Sequence, residues 1–277
     1  MSSGLENVAR FDLHMHSTRS DGRFAPEEVL QRCVAGGLQA IALTDHDLAT
    51  TLDPGRHVIE GREIHVIAGA EVSGLHDGRE LHLLVYFKGE VPMPFRRFCE
   101  SQAVKRADRY EEAVKNIGLP NVALPDADSR AGKRSITRLH LARALMDAGH
   151  TKSVGESFAK HTGDSHGNVP TIDVPFVDCI QIARDCGGIT SWAHPPLPLL
   201  LKYLPTFAEA GLHGIETLRP KILGRERRIV RRLARDHDLL LTGGSDWHGW
   251  ANPDHLGLFA VHRSELKKFL DALEQAA

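Results

Sequence analysis

The sequence predicts an α/β fold in which short parallel strands alternate with helices, interrupted midway by a helical lobe. Short apolar runs with strand character alternate with amphipathic helical segments through the first 90 residues and again after residue 170. Between about Pro92 and Pro170 helical segments stand alone. Residues 1–91 and 171–277 are therefore two halves of one barrel-like unit, and residues 92–170 an insertion. Both ends of the insertion must return to the barrel, which makes it a partial lid over the mouth.

Taken in order, Leu5 to Asp12 leads into a first short strand. Pro26-Glu27-Glu28 opens a helix with an apolar face of Val29, Leu30, Cys33 and Val34, and Gly36-Gly37 stops it. Ala40 to Leu43, Ile64 to Ala68 and Leu81 to Phe87 are further strands. Lobe helices span Phe95 to Ile117, Ser135 to Ala148 and Val154 to His161, with loop-like joints such as Leu119-Pro120-Asn121. Alternation resumes with a helix from Pro175 to Cys186, a strand from Ile189 to Ala193 and a helix around Leu201 to Ala210. A strand at Gly214 to Glu216, a helix at Arg225 to His237, a strand at Leu239 to Thr242 and a helix at Ser264 to Gln275 follow.

Composition removes several classes of function. The 34 Lys and Arg against 36 Asp and Glu leave a net charge of −2, which argues against binding duplex DNA by bulk electrostatics. No apolar run approaches the roughly 18 residues of a membrane span, and the first residues lack a signal-peptide pattern, so no membrane partner and a cytoplasmic location are expected. Cys33, Cys99, Cys179 and Cys186 are dispersed without a C-x-x-C, so neither a disulfide framework nor a thiolate zinc site is suggested. The 17 histidines are a different matter. Imidazole with carboxylate and no thiolate is the ligand set of Zn, Mn or Fe sites.

Each predicted strand is followed closely by, or contains, an unusual polar cluster. Asp12-Leu13-His14-Met15-His16 ends the first strand, Thr44-Asp45-His46 follows the second, and Gly69-Ala70-Glu71 follows the third. His82 falls within the long strand, Ala193-His194-Pro195 follows Ile189 to Trp192, and Gly244-Ser245-Asp246-Trp247-His248 follows Leu239 to Thr242. In parallel-strand barrels the active site is built where strands end, so ligands scattered along the chain can converge at one mouth. Residues i and i+2 of an extended segment point to one side, so His14 and His16 can share a metal, as can Asp246 and His248. Any single histidine here would read as an ordinary hydrogen-bonded residue; six clusters together read as a metal centre.

Three acids stay open on these grounds. Asp21 in Ser20-Asp21-Gly22 alone reads as a turn or N-cap. Asp45 and Asp12 could each be a ligand, a partner of a metal-bound imidazole or a turn acid; for Asp45 the partner role is favoured, because metal-bound His usually gives its other N–H to a carboxylate or carbonyl.

The segments F-D-L-H-M-H-S-T-R-S-D-G, T-D-H, G-A-E-V-S, E-L-H-L-L, A-H-P and G-S-D-W-H resemble, in order and over nearly the whole chain, the PHP (polymerase and histidinol phosphatase) family of metal-dependent phosphoesterases. The helical insertion is similar to that of its branch of nucleoside 3′,5′-bisphosphate phosphatases and 5′-to-3′ exoribonucleases. The resemblance implies a distorted (β/α)7 barrel carrying two or three divalent ions, Mn, Fe or Zn. It assigns His14, His16, Glu71 and Asp246 to one metal, with Glu71 bridging to a second held by His82 and His194. Asp21, His46 and His248 form the third set, so that Asp21 becomes a ligand.

Neighbouring divalent ions lower the pKa of a shared water from 15.7 towards about 7, giving hydroxide to attack phosphorus. Glu71, His194 and Asp246 are the expected catalytic residues, the last two chiefly as ligands, and Ser245 reads as a turn residue. The substrate expected is a small phosphorylated nucleotide or a short RNA end. Residues 96–138 hold ten Lys and Arg against six Asp and Glu. Within them Lys133-Arg134-Ser135-Ile136-Thr137-Arg138 resembles the branch's segment for a distal phosphate, with Arg138 first and Arg134 second as candidates. The chain departs from that branch at Thr217-Leu218-Arg219-Pro220-Lys221, where Arg219 or Lys221 could supply a replacement contact. Rival readings are a phosphatase of a small metabolite such as histidinol phosphate, a C–N hydrolase, and a non-catalytic scaffold, the last disfavoured by nine intact ligand positions.

Overall fold

The computed structural model describes residues 5–49, 51–220, 222, 224–251, 253–254 and 256–276. Ten strands are described: β1 (Arg10–Asp12), β2 (Ala40–Ile41), β3 (Gly55–Ile59), β4 (Arg62–Val66), β5 (Ala68–His76), β6 (Arg79–Phe87), β7 (Ile189–Trp192), β8 (Gly214–Leu218), β9 (Leu240–Gly243) and β10 (Val261–His262). The helices are α1 (Pro26–Ala35), α2 (Met93–Ile117), α3 (Ala127–Arg130), α4 (Arg138–Asp147), α5 (Val154–Ser157), α6 (Phe176–Asp185), α7 (Leu197–Glu209), α8 (Gly224–Asp236) and α9 (Arg263–Gln275). None of them is long and apolar enough to cross a membrane.

The strands form two five-stranded sheets, ordered β10-β1-β2-β4-β3 and β5-β6-β7-β8-β9. The expected parallel order holds for β1-β2-β4 and for β7-β8-β9. It fails at β6, which runs antiparallel to both neighbours. The cause is the Asp77-Gly78 turn, where both residues have positive φ (52° and 71°). A two-residue turn of this kind joins only antiparallel strands. Glu60-Gly61, with φ of 50° and 76°, closes the β3–β4 hairpin in the same way.

The single strand expected at Ile64 to Ala68 is likewise divided. β4 ends at Val66 in one sheet, and β5 begins at Ala68 in the other. Isolated parallel bridges, His46 with Glu71 and Met15 with Trp247, tie the two sheets together at the ends of β2, β5, β1 and β9.

The larger core packs Phe176, Trp192 and Phe207 with Leu83, Val85 and Ile215. The inserted lobe is not cleanly separate from it. Phe95 and Cys99, early in α2, belong to that core, whereas Ala107, Tyr110 and Ala113 further along belong to a small lobe core with Val122, Ile136, Leu141 and Leu145. One 25-residue helix therefore passes from the larger core to the small one. It ends at Gly118, whose φ of 68° is the left-handed cap that glycine adopts without strain.

Candidate metal centre

The two bridges between the sheets deliver the polar clusters to one point. Asp246 N–H donates to His14 O at 2.8 Å, His16 N–H donates to Trp247 O at 2.9 Å, and Asp47 N–H donates to Glu71 O at 2.8 Å. The fit of these segments is close, because a Cβ at Gly244 would lie 2.4 Å from His14 N. His194 and Asp246 hold left-handed backbone conformations (φ 30° and 52°) that non-glycine residues seldom take. Asp246 is fixed by its bond to His14, and His194 by its N–H donating at 2.8 Å to Glu216 Oε2.

Glu71 is the centre of the arrangement. Its buried Oε2 lies 3.3 Å from His14 Nε2, 3.2 Å from His16 Nε2 and 3.1 Å from His46 Nδ1. Its Oε1 lies 3.1 Å from both His82 Nδ1 and His194 Nε2. Asp246 Oδ1 stands 3.4 Å from His14 Nε2 and 3.3 Å from His16 Nε2. Asp21 Oδ1 is 3.2 Å from His248 Nε2, and its Oδ2 3.7 Å from His46 Nε2. All nine residues singled out as ligands are thus brought together.

Four overlapping groups have ligand atoms within 4.8 Å of one another: His16, Asp21, His46 and His248; His14, His16 and Asp246; His14, Glu71 and His194; and His46, Glu71 and His82. His14 Nε2, His16 Nε2, His46 Nδ1, Asp21 Oδ1 and Glu71 Oε2 are buried and lack hydrogen-bond partners among the described residues. Leaving so many polar atoms unsatisfied is costly unless something else neutralises them, and an all-nitrogen-and-oxygen set suits a divalent cation.

The electrostatics agree. Burial pulls the His16 imidazole down, but Asp246 and Glu71 more than reverse it, to about 10. His82, opposed in the same way by burial, is raised to about 10 by Glu71 and Glu80. Asp21 is held well below the usual carboxylate range by His46 and His248 in spite of burial. Around His16, His82 and Asp21 the pocket therefore favours positive charge, whereas burial, with His16 and His82 beside it, holds the His46 imidazole well below its ordinary range in spite of Glu71 and Asp21.

The outer partners were only partly legible. His14 Nδ1 lies 3.0 Å from Glu216 Oε1, so a buried acid that the sequence reading left as a strand residue orients this imidazole. Among the described residues Asp45 does not pair with an imidazole. It accepts from Ser17 N–H and Oγ–H (2.8 and 2.7 Å), Ser20 Oγ–H (2.6 Å) and Thr51 Oγ–H (2.9 Å), and so shapes the loop that carries His16 and Asp21. Asp12 accepts from Ser245 N–H at 2.8 Å, which clamps β1 to the segment after β9, and burial pushes its carboxyl up to about 7.

From the lobe, Arg106 donates through Nε to Asp47 Oδ2 at 2.5 Å and through Nη2 to Ser73 Oγ at 2.6 Å, all three residues being buried. Glu80 lies 3.1 Å from Arg109 Nη2 and 3.7 Å from His82 Nε2. The pairs Arg106–Asp47 and Arg109–Glu80 carried no signal in the sequence, since each joins segments far apart along the chain, whereas Glu80 and His82 stand two residues apart on one side of β6.

Of the substrate candidates, Arg138 lines a cavity of about 600 Å³ together with His82, His194, Arg79 and Arg109. It also pairs with Asp164. Arg134 faces elsewhere, pairing with Asp126 at 3.1 Å and lining a second cavity. Arg219 donates to Pro195 O at 3.4 Å and lies 3.7 Å from Glu226, outside the lining of the larger cavity. Lys221 lies outside the described residues.

The model of the PHP domain matches residues 12–116. The chain is 30% identical to the Escherichia coli 5′-3′ exoribonuclease Rnm over 250 residues, 86% of this chain and 85% of that one. It is 28% identical over 261 residues to the Eggerthella lenta phosphoribosyl 1,2-cyclic phosphate 1,2-diphosphodiesterase (89% and 97% of the two chains). Against the Chromobacterium violaceum 3′,5′-nucleoside bisphosphate phosphatase it is 27% identical over 250 residues (87% and 88%). A crystal structure of a candidate metal-dependent phosphoesterase from Bifidobacterium adolescentis shares the fold, with a TM-score of 0.77 at 22% identity and coverage of 95% and 96%. An all-nitrogen-and-oxygen pocket built around one buried glutamate, set in this fold and in a chain with such relatives, belongs to the PHP family: the protein is a hydrolase of phosphoester bonds.

Proposed function

We propose that the protein removes phosphate from nucleoside 3′,5′-bisphosphates or cleaves at the 5′ ends of short RNA in the cytoplasm, with two or three divalent cations (Mn, Fe or Zn) in the pocket. The observation that carries this reading is Glu71, a single buried carboxylate approached by five imidazole nitrogens at 3.1–3.3 Å. Its two oxygens face different sets of histidines, which suits a bridging ligand. His14, His16 and Asp246 would complete one site with it, His82 and His194 a second, and Asp21, His46 and His248 would hold a third. The isolated bridges between the sheets support treating both sheets as one distorted (β/α)7 barrel, with residues 92–170 leaning over its mouth.

Bound cations supply a water acidic enough to lose its proton near neutral pH and positive charge for the phosphoryl oxygens. The protein's share is orientation. With Nδ1–H donating to Glu216, His14 presents the Nε2 lone pair to the pocket. His194 and Asp246 keep side-chain exposures of 32% and 40%, which suits exchange of a proton with the leaving oxygen. Arg138 would hold a second phosphate of the substrate in the larger cavity, with Arg109 and Arg79 adding positive charge. Arg134 and Arg219 would act only at the margins.

The test is elemental analysis of protein purified without chelator, together with a panel of monoesters, histidinol phosphate, nucleoside 3′,5′-bisphosphates and 5′-phosphorylated RNA. Two or three metals per chain and preference for the last two substrates are expected. Less than one metal per chain, unrestored by Mn or Zn, or turnover of histidinol phosphate alone, would overturn the reading.

A further inference from the structure

Helix α4 separates two cavities. Arg138, its first residue, lines the cavity shared with His82 and His194. His140, Arg143, Ala144 and Asp147 line a second cavity of about 450 Å³. At about 100° per residue these four lie about 140–240° around the helix from Arg138, so the two cavities flank opposite faces of α4. At the foot of this wall Thr137 Oγ–H donates to Asp21 Oδ2, inside the metal pocket. The pocket therefore borders His82 and His194 on one flank and Asp21 and His248 on the other.

On the second flank stands Trp250, 39% exposed. Its Nε1–H donates to Asp21 O at 2.7 Å, which fixes the indole against a residue of the metal pocket. The Arg143 guanidinium lies 3.2 Å from the centre of the indole ring, and its buried Nε has no hydrogen-bond partner among the described residues. Arg23, exposed, is held beside His248 by its N–H donating to His248 O at 2.9 Å. Arg134 in the second cavity is paired with Asp126, and Asp147 lies one turn beyond Arg143. On this flank the cationic and aromatic surface beside Asp21 and His248 is therefore Trp250, Arg143 and Arg23. Ser129 Oγ, fully buried in the lining of the same cavity, also lacks a partner among the described residues.

We propose that Trp250, Arg143 and Arg23 form a subsite for the nucleotide on the 3′ side of the scissile phosphate. This rests on the reading of the protein as a nucleotide phosphoesterase. A base stacks on an indole or a guanidinium plane without regard to sequence, and arginine neutralises the adjoining phosphodiester. The 5′ nucleoside would then occupy the Arg138 cavity, and the chain would cross the metal pocket and leave over Trp250. A nucleoside 3′,5′-bisphosphate has no residue beyond the scissile phosphate, so it would leave this subsite unused.

The experiment measures binding as well as turnover. Titrating the protein with a 5′-phosphorylated RNA trinucleotide should quench the emission of Trp250, and a nucleoside 3′,5′-bisphosphate should not. Trp250→Phe should abolish the quench, since Trp192 and Trp247 are buried. Arg143→Ala and Arg143→Lys should lower kcat/KM on the trinucleotide about tenfold or more while changing the bisphosphate less than about twofold. Equal losses on both substrates, or no quench distinguishing the two ligands, would overturn the subsite. Turnover of neither substrate would sink the nucleotide reading, and the quench would still decide whether the ledge binds RNA.

Discussion

Thr137 Oγ1 donates a 3.0 Å hydrogen bond to Asp21 Oδ2 across 116 positions of sequence. The same hydroxyl accepts from Leu139 N–H at 3.2 Å, so one side chain caps α4 and fixes an acid of the metal pocket. The lobe is thereby part of the site's construction.

Thr137→Val keeps the shape and removes both bonds. It should cost about 1–3 kcal/mol, combining a helix cap with a hydrogen bond to a charged group, and Thr137→Ser should recover most of it. Urea denaturation of the three proteins measures this, and metal content should fall in the Val variant.

Glu71→Gln should reduce activity by more than about a hundredfold and lower the metal content, because five imidazoles lose their shared carboxylate. Glu216→Gln, whose carboxylate accepts from His14 and from the His194 N–H, should cost about 10–100-fold. Elemental analysis alongside kcat separates the two.

His140 closes the capping box by accepting from Thr137 N–H at 3.0 Å, and burial together with Arg134 and Arg143 lowers its imidazole to about 4 in spite of Asp21. In the unfolded chain the ring takes a proton near its ordinary 6.5, and in the folded chain only near 4. Its contribution to stability is thus complete above pH 6.5 and is lost as pH falls through about 4, by about 2 kcal/mol for this half-buried ring. His140→Gln keeps a box acceptor that does not titrate. Stability measured from pH 7 to 4 should be flatter in that variant.

Arg106→Met should destabilise by about 3–5 kcal/mol, because Asp47 is left buried without its cation. Adding Asp47→Asn should recover part of the loss, which a double-mutant cycle by denaturation reports. Replacing residues 92–170 by a short linker should, for the same reason and because Phe95 and Cys99 belong to the larger core, remove metal binding as well as turnover.

Arg138→Ala should lose about 1.5–3 kcal/mol of transition-state binding on a nucleoside 3′,5′-bisphosphate, and far less on a simple monoester. The comparison of kcat/KM on both substrates decides it. If Arg219→Ala shows the selective loss instead, the departure at Leu218-Arg219-Pro220 carries the contact.

Most of the candidate ligands were legible because they stand near strand ends, as at His14 and His16, where an extended backbone repeats every second residue; His82 lies within β6, and Asp21, in a loop beyond β1, was assigned by the resemblance alone. The strand directions were less so. Asp77-Gly78 is a strong hairpin signal between two apolar runs, yet β5 and β6 follow one another too closely for a βα crossover, and the reading by alternation passed over it. Asp45 was assigned to an imidazole because such pairs are common, whereas its oxygens were already occupied by the hydroxyls and amides of Ser17 and Ser20. Arg106 and Glu216 were out of reach, because a buried partner at long range leaves no local pattern.

The clamp between Asp12 and Ser245 spans 233 positions, and Asp246 follows it directly. A nascent chain that has released everything up to β8 already holds seven of the nine pocket residues, but has neither this seam nor Asp246 and His248. Hydrolytic competence should therefore switch on in one late step of synthesis, and a chain stalled before β9 should stay inert towards the RNA around the ribosome.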